Sequence, residues 1–259
     1  MTLEPETLPK VHEHMAAVKA QAKNGFFTNY FRQELVGPHI LTAATGRSVL
    51  FVNDEHDFFR LYFFSSDLDE LERMLRDAEF CASVVVGYIT KAADENVAGA
   101  LQHSGFSPIA TYRRMISYDL PAERPNSGLE YAVASDLDQI HDGLFQAFNK
   151  YTDHLPTKAR LLRYIENQWV IVNRQDGQVC GAVCFQLEGP RVNYNYIYNL
   201  SRNPICFLQL QNNFYGVMHQ RDIHAGFLWI NRTESRLASL HESMGWRFDG
   251  LNDYFYLRS

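Results

Sequence analysis

The stretch Leu237-Ala-Ser-Leu-His-Glu-Ser-Met-Gly-Trp246 decides how the rest of the chain is read. Its apolar residues recur at helical spacing, Gly245 offers the left-handed conformation that ends a helix, and an aromatic strand over residues 248–257 follows. Earlier in the chain, Ala100-Leu-Gln-His-Ser-Gly-Phe106 has the same form: helix, glycine, aromatic residue, then a strand over 109–118. Each signature also follows a strand, 83–90 with its Val84-Val85-Val86 run and 226–230. The two segments therefore read as one structural slot in two copies.

Outward from these slots the halves keep a common order. In the first, a helix over 9–23 precedes strands at 39–45, 48–53 and 58–64, and Ser66-Asp-Leu-Asp69 opens a helix to about Arg76. In the second, a strand at 129–134 precedes a helix opened by Ser135-Asp-Leu-Asp138 and another at 158–167. Strands at 169–173 and 179–187 flank the turn Arg174-Gln-Asp-Gly177, a third covers 192–200, and a helix follows at about 207–220. Between the halves, Pro121-Ala-Glu-Arg-Pro125-Asn-Ser-Gly128 combines two prolines with turn formers. The expectation is a domain at 1–122, a linker at 123–128 and a domain at 129–259. The fold class is α/β in the broad (α+β) sense: two tandem domains, each a mixed twisted sheet flanked by helices.

The 259 residues are 46% hydrophobic and 14% aromatic, ample core material that argues against disorder. With 24 basic against 30 acidic side chains the formal charge is −6, which speaks against nucleic acid as a partner. Cys81, Cys180, Cys184 and Cys206 are too scattered for a disulfide framework and fit a reducing compartment. Cys180 and Cys184 read as small core residues, and His12-Glu-His14 lacks the spacing of a helical chelate, so no metal is expected. The N-terminus is acidic and proline-broken, unlike a signal peptide. No apolar run reaches the roughly 20 residues of a membrane helix, so the expectation is a cytoplasmic protein with no membrane partner.

With this element order in place, residues 129–259 resemble the GCN5-related N-acetyltransferase (GNAT) superfamily, and a more degenerate copy covers about 10–120. The helix ending Leu240-His-Glu-Ser-Met-Gly-Trp246 is similar to that family's apolar helix ending Leu-Tyr-Glu-x-x-Gly-Phe. The resemblance implies two parallel strands that splay apart, so that freed backbone groups hold the pantetheine arm of an acyl-CoA. The pyrophosphate then rests on amides at a helix N-terminus. It also implies attack of a neutral amine on the thioester, with a general acid for the leaving thiolate.

Carried over residue by residue, the family's thiolate-protonating tyrosine falls on His241; the plain alternative is a helix-surface histidine. The phosphate loop falls on Leu200-Ser-Arg-Asn-Pro-Ile-Cys-Phe207, which has no glycine, and Pro204 brings no N–H. Arg202 is the anion contact that remains, with Asn199 and Ser201 as further cofactor-binding candidates. In the first half the slot is Ser65-Ser-Asp-Leu-Asp-Glu70, whose carboxylates suit a helix N-terminus but repel a pyrophosphate.

In Val192-Asn-Tyr-Asn-Tyr-Ile-Tyr-Asn199, period-two alternation puts Asn193, Asn195, Ile197 and Asn199 on one face, and Tyr194, Tyr196 and Tyr198 on the other. The resembled fold lines its acceptor site with this strand, which makes Asn193, Asn195 and Tyr196 substrate-binding candidates. A tyrosine-packed face backed by solvated amides is the alternative. The loop Tyr151-Thr-Asp-His154 reads as a cover of the acceptor site or a solvated loop. The stretch Asn24-Gly-Phe-Phe-Thr-Asn-Tyr-Phe31 reads as a staple of the first helix or a lining of the cleft between halves. The expected function is transfer of an acyl group from acetyl-CoA or another acyl-CoA to a small amine or amino-acid-like acceptor. The alternatives are a CoA-independent transferase, similar to Fem-type aminoacyl transferases or served by an acyl carrier protein, and a non-catalytic metabolite-binding module.

Overall fold

Both helix–glycine–aromatic signatures close in the same way. The Phe106 N–H donates to the Leu101 carbonyl at 3.0 Å and the Trp246 N–H to the His241 carbonyl at 3.1 Å, while Gly105 and Gly245 each adopt φ of +87°. That conformation is open to glycine at no steric cost, which is why the residue stands there twice. The following aromatic residue then turns into the core, and Phe106 and Trp246 are both buried.

The structure is a computed structural model that describes residues 1–22, 25–29, 40–55, 57–91, 95–122, 128–201 and 203–259. In chain order its first elements are β1 (Glu4–Glu6), α1 (Leu8–Gln21), β2 (Phe27–Thr28), β3 (Ile40–Ala44), β4 (Ser48–Glu55), β5 (Phe58–Ser65), α2 (Leu68–Asp77), β6 (Val84–Thr90), α3 (Glu95–His103) and β7 (Ser107–Ser117). There follow β8 (Glu130–Tyr131), α4 (Leu137–Ala147), α5 (Lys158–Glu166), β9 (Val170–Gln175), β10 (Gln178–Glu188), β11 (Arg191–Asn199), α6 (Pro204–Gln220), β12 (Ala225–Asn231), α7 (Ser235–Ser243) and β13 (Arg247–Arg258). Two units form: Met1–Tyr112 with Gly250–Ser259, and Arg113–Asp249. Among the described residues no helix is long and apolar enough to cross a membrane.

In the first unit the strand order is β1-β3-β4-β5-β6-β13, antiparallel except for the parallel pair β5–β6. Val49–Val52 of β4 and Leu61–Phe64 of β5 are unbroken hydrophobic runs because both faces are covered. Leu50, Val52, Leu61 and Phe63 pack with Leu71, Met74 and Leu75 of α2 and with Val97 and Leu101 of α3. Val49, Phe51, Tyr62 and Phe64 lie in the smaller clusters that hold Val11 and Val18 of α1. Sequence order assigns the last strand to the second half, but Asn252–Arg258 pairs along Thr90–Val84 of β6, within the first unit. Adjacency along the chain does not decide which strand edge a terminal strand completes.

In the second unit the order is β8-β9-β10-β11-β12, again with one parallel pair, β11–β12. Ile140 and Leu144 of α4 and Leu161 and Ile165 of α5 cover one face, against Val172, Ala182, Cys184, Tyr196 and Tyr198. Leu210, Phe214 and Met218 of α6 and Ala238 of α7 cover the other, against Val183, Phe185, Val192, Tyr194 and Leu228.

The strict alternation expected for β11 does not hold. Its pairing with β10 passes from Tyr194–Phe185 to Tyr196–Cys184 and steps over Asn195. This β-bulge inserts a residue and exchanges the faces beyond it. Tyr194 therefore packs with α6, while Tyr196 and Tyr198 pack with α4 and α5. The bulge separates the tyrosines that a period of two would align. Two helix starts also differ from expectation. Asp67, not Ser66, caps α2, accepting the Glu70 N–H at 3.1 Å. Asp136 ends a short 3-10 turn before α4 and, instead of capping that helix, accepts the Val133 N–H at 2.9 Å and pairs with Arg174 at 2.7 Å.

Candidate functional site

β11 and β12 are paired from Arg191–Ala225 only as far as Tyr194–Leu228. Beyond that point β11 runs on along β10 to Asn199, and β12 runs on to Asn231. The parallel register thus ends at the residue before the bulge. This combination opens the edge of β11 between Asn195 and Asn199 to a ligand's hydrogen bonds.

On the α6 and α7 side of this point lies an aromatic nest. Tyr194 stacks on Phe214 with ring centroids 4.2 Å apart, and His241 meets Tyr194 and Trp246 edge-on at 5.9 and 6.0 Å. The Trp246 indole donates to the Tyr215 hydroxyl at 2.8 Å. Among the described residues, the buried Tyr194 hydroxyl and His241 Nδ1 have no hydrogen-bond partner. Orphaned groups of this kind cost free energy and so call for a function or a bound molecule. Burial pushes the Tyr194 phenol well above its ordinary range and lowers His241 to about 4. Its imidazole is therefore neutral at pH 7, able to hold a hydrogen bond but holding no imidazolium proton to deliver.

The opposite side is polar and linked. Asn195 Nδ2 donates to the Tyr164 hydroxyl at 3.3 Å, Tyr164 donates to Gln186 Oε1 at 3.1 Å, and Arg160 Nη2 donates to Tyr164 at 2.9 Å. Asn193 is buried and lies directly across from Gln186. The Tyr196 hydroxyl donates to the carbonyls of His154 at 2.7 Å and Asp153 at 3.1 Å, tethering the loop Tyr151–His154. Of the expected acceptor residues, Asn195 and Tyr196 thus contact helix α5 and that loop. Tyr164, Gln186 and Arg160 were not foreseen, because nothing in sequence connects an α5 face with a β10 amide.

At the end of β11 the candidates Asn199 and Ser201 are engaged with the chain itself. Asn199 Oδ1 accepts from the Ser201 N–H at 3.1 Å and hydroxyl at 2.7 Å, and its Nδ2 donates to the Asn203 carbonyl at 2.9 Å. Pro204 opens α6 without an N–H, the Ile205 N–H is taken by Asn203 Oδ1 at 3.0 Å, and the Cys206 N–H by the Asn203 carbonyl at 3.1 Å. The amides on which a pyrophosphate would rest are spent, so this helix start as built does not fit that group. Arg202 lies outside the described residues.

The first unit contains the same parallel pair, with β5 and β6 in register only at Phe59–Val84 and Arg60–Val85. Here the opening is closed by the chain. β2 pairs with Ser65 and Phe64 of β5, and Asn29 is buried between the strands. Its Nδ2 donates to the Leu61 and Gly87 carbonyls at 3.0 Å each, and its Oδ1 accepts the Phe63 N–H at 2.7 Å. One side-chain amide thus bridges the backbones of both strands where they part. Of the stretch Asn24–Phe31, expected to staple the first helix or to line the cleft between halves, Phe27 and Thr28 pair with β5 and Phe26 packs 4.6 Å from Phe64, which clusters with Val18 of α1, while Asn24, Tyr30 and Phe31 lie outside the described residues. The α2 start is likewise self-satisfied, with Asp67 holding the Glu70 N–H and Arg47 at 2.7 Å. Among the described residues no cluster of three or more His, Cys, Asp or Glu side chains is placed to hold a metal ion.

No protein-family model and no curated protein matches the sequence. Among solved structures, the chain is similar to a GCN5-related N-acetyltransferase from Sphaerobacter thermophilus, at 14% identity over 82% of this chain and 80% of that one, with a TM-score of 0.57. It is similar over the full length of both chains to an acetyltransferase of the GNAT family from Colwellia psychrerythraea, at 8% identity and a TM-score of 0.59. A tandem GNAT protein from the clavulanic acid biosynthesis pathway matches at 10% identity over 98% of this chain and 97% of that one, with a TM-score of 0.55. At these identities the likeness establishes the GNAT fold and says nothing of chemistry.

Proposed function

We propose that this chain of GNAT fold is an acyltransferase, built from two copies of that fold, whose second unit moves an acyl group from a pantetheine thioester to a small amine. The observation that carries the reading is the end of the β11–β12 register at Tyr194–Leu228, coincident with the Asn195 bulge. Acetyl-CoA or another acyl-CoA is the donor this reading favours, with its pantetheine arm along the freed edge of β11. Attack by the neutral amine nitrogen forms the new C–N bond and breaks the C–S bond. The sulfur leaves as thiolate, the amine gives up a proton, and free thiol and amide result. The orphaned Tyr194 hydroxyl and His241 Nδ1 are the buried groups available to hydrogen-bond the sulfur or the developing oxyanion. With Asn29 closing the first unit, one donor binds per chain.

The engaged amides of α6 favour a second reading, in which the arm arrives on an acyl carrier protein and no nucleotide is held. Exposed Leu200, Ile205 and Leu208 surround that helix start. Both readings are tested by thiol release from acetyl-CoA and from acetyl-pantetheine across an amine panel, with calorimetry for stoichiometry. Release from acetyl-CoA with one site per chain is the expected result. Turnover of acetyl-pantetheine alone favours the carrier. Failure of millimolar acetyl-CoA and acetyl-pantetheine to bind or react refutes the donor assignment.

A further inference from the structure

We infer that the acceptor carries a carboxylate beside its amine, and that Arg160 selects it. The inference rests on the proposed acyl transfer and narrows its substrate class. Arg160, Gln186 and Asn195 converge on the Tyr164 hydroxyl, and each keeps hydrogen-bonding capacity that no described residue uses. The hydroxyl itself is filled, accepting from Arg160 and Asn195 and donating to Gln186.

Arg160 is half-buried, with its guanidinium 5.5 Å from the Tyr164 ring centroid. One N–H is spent on the phenol, and no described carboxylate lies within ion-pair distance. Its neighbour on α5 behaves differently: Lys158 is matched by Asp138 at 2.6 Å. Asp153, in the loop that Tyr196 tethers, accepts the Asn149 N–H at 2.8 Å. The remaining fork of Arg160 has the geometry that receives a carboxylate through two parallel hydrogen bonds. Gln186 retains both amide N–H donors for the same anion. Asn195 retains its Oδ1, an acceptor suited to an amine N–H, and it sits at the bulge where β11 leaves β12. Donors and cation therefore lie toward α5, and the amine acceptor lies at the edge assigned to the thioester. An α-amino acid or a similar amino carboxylate matches that polarity; a simple alkylamine leaves the cation unpaired.

The test uses matched pairs, an amino acid against its methyl ester and its decarboxylated amine, with the wild type, Arg160→Gln and Arg160→Lys. Calorimetric binding is measured alongside acetyl transfer. In the wild type the carboxylate-bearing member is favoured by about 10-fold to 100-fold in kcat/KM, the value of a charge-assisted contact. Arg160→Gln removes that preference by raising KM for the carboxylate-bearing member far more than for its ester, with kcat little changed, and Arg160→Lys recovers part of it. Circular dichroism confirms that the variants fold. Acetyl transfer without any carboxylate preference, or a preference that survives in Arg160→Gln, overturns the inference and leaves acyl transfer standing. Carboxylate-dependent binding lost in Arg160→Gln, without turnover of any amine, supports the anion site while refuting acyl transfer. Absence of carboxylate-dependent binding at millimolar ligand overturns the inference outright.

Discussion

Replacing Asn29 by alanine deletes all three hydrogen bonds that span β5 and β6, to the Leu61 and Gly87 carbonyls and from the Phe63 N–H. A buried hydrogen bond contributes about 1 kcal/mol net, and each partner left dry and unpaired costs about 1–3 kcal/mol. The position is 3% exposed, so water reaches it only if the wedge opens. The expected loss is about 3–5 kcal/mol, a large share of the roughly 5–15 kcal/mol that holds a domain folded. Urea unfolding followed by circular dichroism and by fluorescence reads it as a lower midpoint at unchanged slope. Asn29→Asp is the sharper variant. It keeps an acceptor for Phe63 but turns a carboxylate oxygen toward two carbonyls, so at neutral pH it costs at least as much as alanine. A loss under about 1 kcal/mol in both variants would falsify the bridging role, because no more than one ordinary hydrogen bond would then be at stake.

Three further outcomes are expected. His241 has its pKa lowered by burial from 6.5 to about 4, so the unfolded chain binds more protons between those values. Stability is full above about pH 6.5 and declines by up to about 3 kcal/mol as pH falls to 4. His241→Phe should flatten that slope in urea midpoints at pH 7 and 4.5, and an unchanged slope rules the assignment out. Asp253 has the opposite sign: burial raises its carboxyl from 3.8 to about 7, so its contribution is present below 3.8 and lost as pH rises through 7. Asp253→Asn should therefore stabilise by about 2–4 kcal/mol more at pH 8 than at pH 4; equal effects at both refute it. A Cβ added at Gly143 of α4 would lie 2.5 Å from the Tyr198 hydroxyl. Gly143→Ala should cost about 1–3 kcal/mol of overpacking against about 1 kcal/mol of helix propensity gained. Tyr198→Phe in the same chain should recover part of the loss, and full additivity of the two changes would contradict the contact.

Local chemistry made much of the fold readable. Gly105 and Gly245 marked helix ends because a left-handed residue is needed there whatever surrounds it. The Val84-Val85-Val86 run marked a strand covered on both faces. The site was less readable. Asn195 and Tyr196 could be singled out from an unusual strand composition, yet the bulge that separates the tyrosine faces leaves no mark in a sequence of alternating Asn and Tyr. His241 could be placed on its helix, whereas its neutral state follows from burial against Tyr194 of β11 and Trp246 of the turn after α7.

What the amino-acid order determined by itself was periodic and local: helix ends, apolar strands, the repeated signature, and the missing glycines at 200–207. What the tertiary structure decided was pairing between distant residues. Asn29 meets Gly87, Tyr164 of α5 meets Asn195 of β11 and Gln186 of β10, and the last strand lies along β6. Period and propensity act over a few residues and leave their trace in order along the chain. Hydrogen bonds between elements depend on where whole sheets and helices pack, and that is set by every buried side chain at once.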